Sequence, residues 1–98
     1  MLDLQHLETF RIVSNKKSFT RAAEELGCAQ STVTTRIVAL ERELGTSLFV
    51  RGRFSKNVAL TEAGRKTLEY AGLLLDLARA AKAAVQVGSV QTLPSQAT

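Results

Sequence analysis

The sequence predicts a mainly helical fold: three short amphipathic helices around one core, a small β-hairpin, and a long helix toward the C-terminal end. Three observations predict it. Apolar residues recur at helical spacing in three runs before residue 45, and Gly27 and Gly45 stand where two of them stop. Two apolar-leaning runs, residues 47–51 and 57–60, flank the basic loop Gly52-Arg53-Phe54-Ser55-Lys56. From Thr61 to Val87 apolar and small residues then continue at helical period.

The first helix reads from Asp3 to Ser14. Leu4, Leu7, Phe10 and Val13 form its stripe, Asp3 can cap its start, and Asn15-Lys16-Lys17 is its exit turn. Ser18 opens the second helix, in which Phe19, Ala22, Ala23 and Leu26 share a face, and Gly27 admits the left-handed backbone of a C-terminal cap. After Cys28-Ala29, Gln30 and Ser31 offer side-chain acceptors to the start of a third helix. Val33, Ile37, Leu40 and Leu44 form its buried stripe, and Ala22 and Ala23 let the second and third helices cross closely. The opposite face carries Ser31, Thr34, Thr35, Val38 and Arg42. Short hydroxyls can meet donors or acceptors on base edges, methyl groups can touch the thymine methyl, and such a helix fits a major groove. The pair is therefore read as a helix-turn-helix.

The hairpin at 47–60 reads as the wing of a winged helix. Arg51, Arg53 and Lys56 lie within six positions and no acidic residue falls between Glu43 and Glu62, a pattern suited to phosphates beside a reader helix. In the long helix at 61–87, Thr67, Ala71, Leu74, Ala78, Ala81 and Val85 make a heptad-like seam. Tyr70, Leu73, Leu77, Ala80, Ala84 and Val87 make a second apolar strip. So broad an apolar surface exceeds what a three-helix core covers, and a partner helix is expected on it. Residues 88–98, GSVQTLPSQAT, have no period and read as a flexible tail or the start of a linker.

Composition bounds the function. Ninety-eight residues, 45% of them hydrophobic, make one small domain, or one plus an appendage, with a modest core. A net charge of +4 suits a polyanionic partner. The one cysteine forms no internal disulfide and fits a reducing cytosol, and Cys28 itself, in the turn, reads as a packing residue. No leader and no run of 18 uninterrupted apolar residues is present, so a cytoplasmic protein without a membrane partner is expected. His6 is the sole histidine, which argues against a zinc cluster, and the carboxylates lie dispersed on outer helix faces. Neither an enzyme nor a cofactor site is expected.

The ordered pattern Leu7, Phe10, Ser18-Phe19-Thr20-Arg21-Ala22-Ala23, Leu26, Gln30-Ser31, Thr34, Ile37, Leu40-Glu41, Leu44-Gly45, Leu48-Phe49, Arg51 and Leu60-Thr61-Glu62-Ala63-Gly64 resembles the N-terminal DNA-binding domain of LysR-type transcriptional regulators. The resemblance implies a winged helix-turn-helix at 1–60, a linker helix at 61–87 that pairs two subunits, and double-stranded DNA as partner. It further implies a downstream effector-binding domain, absent from these 98 residues, that takes a small molecule and supports tetramers at full length. By resemblance, base reading falls on Gln30, Ser31, Thr34 and Thr35, with Arg36 taking part. Backbone and wing contacts fall by the same resemblance on Ser18, Thr20, Arg21, Arg51 and Arg53, and the basic pattern of the loop adds Lys56. The seam residues Ala71, Leu74, Ala78, Ala81 and Val85 would carry dimerisation. The sequence departs from the family at Ser31, where proline is common, at Thr35, where a longer polar side chain is frequent, and in a wing about two residues longer. The rival reading is a protein-interaction module whose basic wing docks an acidic partner. Its reader face would need large apolar anchors, and Ser31, Thr34 and Thr35 are not that.

Overall fold

The computed structural model describes residues 2–50 and 58–96, with side chains up to Gln86. In chain order the elements are α1 (Leu4–Lys16), α2 (Phe19–Leu26), α3 (Gln30–Leu44), β1 (Phe49–Val50), β2 (Ala59–Leu60) and α4 (Glu62–Gln96). β1 and β2 pair antiparallel, with Phe49 opposite Leu60 and Val50 opposite Ala59. The hairpin is thus as expected, although shorter. Its basic tip, including Arg51, Arg53 and Lys56, lies outside the described residues.

Helix starts and stops follow local chemistry. Asp3 caps α1 by accepting from the Gln5 amide, and Ser18 caps α2 by accepting from the Arg21 amide. α1 extends two residues past Ser14 and ends on Lys17 in the left-handed region (φ 54°), whose amide donates to the Val13 carbonyl. Gly27 and Gly45 close α2 and α3 at φ 70° and 71°, where a side chain would be strained. At the start of α3 the expectation fails. The cap position is Ala29, and neither Gln30 nor Ser31 closes the helix end, because both already lie inside the first turn.

The stripes converge on one core of Leu7, Phe10, Val13, Ala22, Ala23, Val33, Ile37, Leu40, Leu48, Phe49 and Ala71. Phe49 is its hinge between the hairpin and the helices. Its ring lies 5.3 Å from Phe10 and 5.7 Å edge-on to Phe19, and each such pair adds about 0.5–1.5 kcal/mol beyond area burial. Leu44, the last member of the α3 stripe, is 36% exposed because Gly45 turns the chain away there. Cys28 packs partly buried against the core, as a packing residue should.

The wing is tied to the helices by polar contacts. A Glu41 carboxylate oxygen accepts from the Leu48 amide at 2.8 Å, which fixes the entry to β1 from the last turn of α3. Thr61 donates its hydroxyl to the Ser47 carbonyl and accepts from the Gly64 amide, capping α4. The Thr61 amide donates to the Leu48 carbonyl.

Two expectations about α4 need correction. The helix runs to Gln96, not to Val87. A single glycine such as Gly88 costs a helix about 1 kcal/mol, which an established helix can absorb because extension needs no new nucleus. Ala71 does not belong to a free seam: it is fully buried in the chain's own core, with Leu75 beside it at 7% exposure. Packing on α1 selects the face bearing Leu68, Ala71 and Leu75, one step round the helix from the heptad seam. Arg11 reaches Asp76 at 3.8 Å across the same junction.

Candidate nucleic-acid interface

α3 is held by two helices: α1 and α2 pack against it, and its own Val33, Ile37 and Leu40 are fully buried between them. Because its polar positions alternate with that stripe at helical period, the packing itself turns Gln30, Ser31, Thr34, Thr35, Val38 and Arg42 outward. Four of the five expected base-reading residues, Gln30, Ser31, Thr34 and Thr35, share this exposed face. The fifth does not. Arg36 is half-buried, and its guanidinium donates to the Thr9 hydroxyl at 3.3 Å. Thr9, fully buried on α1, in turn donates to the Gln5 carbonyl at 2.9 Å. Arg36 therefore braces α3 against α1 in this conformation.

The N-terminal end of α3 is open. Ala29 supplies no side-chain acceptor, so this end, the positive end of the helix dipole, has no side-chain cap, and the Thr32 and Val33 amides bond to the Ala29 carbonyl. That end is suited to a phosphate oxygen. The start of α2 lies next to it, as shown by the Thr20 hydroxyl donating to the Gln30 side-chain carbonyl at 3.0 Å. Thr20 and Arg21 are exposed, and Ser18 is half-buried with its oxygen engaged as the α2 cap. Thr20 is thus placed beside the exposed face of α3. The sequence pointed to Thr20 and Gln30 separately and missed their bond, which joins residues ten positions apart through the helix crossing. The Thr9–Arg36 bond was missed for the same reason.

On α4 the expected dimerisation residues divide. Ala71 is buried, Ala78 is half-buried in a groove with Leu4, Gln5 and Glu8 of α1, and Leu74, Ala81 and Val85 are exposed. The most exposed large apolar side chains there are Tyr70, Leu73, Leu77 and Val85, at 63%, 61%, 67% and 67%. Three of these belong to the second apolar strip. Among the described residues there is no group of three or more His, Cys, Asp or Glu side chains that could hold a metal ion. No described helix is long and apolar enough to cross a membrane.

Comparison with known proteins matches this architecture. The family model described as bacterial regulatory helix-turn-helix protein, lysR family, matches residues 4–65. The HTH-type transcriptional regulator HdfR of Shigella boydii is 46% identical over 81 residues, which cover 83% of this chain and 28% of that protein. The HTH-type transcriptional regulator CzcR of Bacillus subtilis is 46% identical over 74 residues, 76% of this chain and 25% of that one. The chain thus spans about a quarter of the length of these curated relatives. Among solved structures, the BenM DBD complex with catB site 1 DNA superposes with a TM-score of 0.84 at 34% identity, covering 90% of this chain and 96% of that one. A CbnR DBD–DNA complex gives 0.83 at 28% identity, covering 90% and 99%. A helix-turn-helix of this geometry, matched over most of its length by that family's model and by relatives at 46% identity, leaves one assignment: the chain belongs to the LysR family of bacterial regulatory helix-turn-helix proteins.

Proposed function

We propose that this chain is the DNA-binding part of a bacterial transcription regulator and reads double-stranded DNA as a dimer at an interrupted dyad operator. One observation carries the reading: the exposed face of α3 presents Gln30, Ser31, Thr34 and Thr35 on a helix fixed by a buried stripe, with an open N-terminal end. Seated in a major groove, these side chains would meet base edges while Arg21 and the wing cations Arg51, Arg53 and Lys56 hold phosphates. Relatives with transcription-regulator names, and similarity to DBD structures in DNA complexes, support it. A second copy would pair through the α4 strip of Tyr70, Leu73, Leu74, Leu77 and Val85, whose exposure in a single chain favours a partner helix. In the longer protein, a further domain would bind a small effector and support higher assembly.

Exposure of the chain to a pool of random duplexes, with recovery and sequencing of the bound fraction, tests the reading. A recurrent motif with two inverted half-sites is expected. A bound fraction as random as the input would contradict it and bring forward docking of the basic wing on an acidic protein.

A further inference from the structure

The bond between Thr20 and Gln30 joins two exposed side chains at the surface that the proposed function places in the groove. Each residue sits near the start of its helix, and the two helices are locked together by Ala22 and Ala23 of α2 and Val33 of α3, all at most 6% exposed. The two backbones therefore keep their separation when a ligand arrives, and the side chains stay within reach of each other. In water an exposed hydrogen bond of this kind contributes little, but it strengthens once the groove excludes solvent.

A hydroxyl has one proton, and a carboxamide has an acceptor end and a donor end. A free glutamine reads adenine with both: its oxygen accepts from the N6 amino group and its nitrogen donates to N7. Here the Gln30 oxygen already accepts the Thr20 proton, which aims the amide nitrogen, with two N–H donors, away from Thr20. Guanine presents N7 and O6, two acceptors and no donor on that edge. The same proton cannot also go to a phosphate, so the backbone contact implied for Thr20 by resemblance competes with this bond.

We infer that Thr20 is a positioning residue for base selection: its bond turns the Gln30 oxygen toward α2 and presents the amide N–H groups to the groove, so that Gln30 selects guanine over adenine at the base pair beneath it. This rests on the reading of α3 as a groove helix. Base selection from the random duplex pool is run with the unmodified chain and with Thr20→Ser, Thr20→Val and Gln30→Ala. Gln30→Ala identifies the base pair, as the one whose preference collapses. The unmodified chain and Thr20→Ser choose guanine there. Thr20→Val, which keeps the shape and removes the hydroxyl, moves the adenine-to-guanine ratio toward adenine by roughly ten-fold, the size of one base contact. An unaltered base preference in Thr20→Val, with a uniform loss of binding, would overturn the inference and leave Thr20 a phosphate contact. Adenine selected by the unmodified chain at that pair, or no preference lost in Gln30→Ala, would overturn it equally. An unmodified chain without preference at any position would instead overturn the groove reading on which the inference stands.

Discussion

Gly64, in the first turn of α4, stands so close to Leu48 that a Cβ on it would collide with the Leu48 carbonyl oxygen and lie 3.0 Å from Leu60 Cδ2. The long helix therefore meets the hairpin backbone to backbone, and the Thr61 amide bonds to the same carbonyl. Gly64→Ala is expected to destabilise the fold by about 1–3 kcal/mol, because neither strand nor helix can retreat without breaking the Thr61 contacts. Gly72, with nothing within 4 Å of its Cβ position, is the control. Gly72→Ala should stabilise by about 0.5–1 kcal/mol through helix propensity. Urea unfolding midpoints of the two variants should move in opposite directions.

Lys17 holds the left-handed conformation that closes α1, at φ 54°. A side chain there costs roughly 1–2 kcal/mol, partly offset in a glycine variant by the greater freedom of the unfolded chain. Lys17→Gly should raise stability by about 0.5–1 kcal/mol, read as a higher urea midpoint at unchanged slope.

Thr34 and Arg21 are expected to fail differently. Thr34→Ala should narrow the gap between the selected duplex and a scrambled one by about 1–3 kcal/mol. Arg21→Ala should weaken both duplexes alike and lower the slope of log affinity against log salt by about 0.9, one phosphate's worth. Titration of both duplexes at several salt concentrations checks this, and equal effects of the two substitutions on both duplexes would remove the division of roles.

Leu77 is 67% exposed on α4 and is not part of the core cluster. Leu77→Lys should leave the helical circular dichroism unchanged and shift the mass in sedimentation equilibrium from dimer to monomer. Identical masses for the two proteins would exclude this strip as the dimer contact.

The three helices of the core were legible in the sequence because each carries its own stripe and its own punctuation. Leu7, Phe10 and Val13 or Val33, Ile37 and Leu40 need no knowledge of the rest of the chain to be recognised as buried. The exposed face of α3 followed from the same period. What the sequence hid lies at crossings. Ala71 is buried because α4 lands on α1 at a particular rotation, and either of two apolar strips was compatible with the spacing until that rotation was known. Arg36 looks like a reader by its position after Thr35, yet a buried hydroxyl 27 residues earlier draws it back. The polar links Thr20–Gln30 and Glu41–Leu48 likewise depend on helix crossing and turn geometry, which local propensity does not encode. At Gly88 composition favoured a stop, and the continuity of α4 prevailed.

The most direct test of the central claim is a titration of this chain against its selected duplex, a single half-site and a scrambled duplex at several salt concentrations. The account predicts two chains on the full dyad, much weaker binding to the half-site, and a preference over scrambled DNA of roughly 10³-fold or more that persists at salt where non-specific binding is lost. Equal affinity for all three duplexes, disappearing together as salt rises, would contradict it.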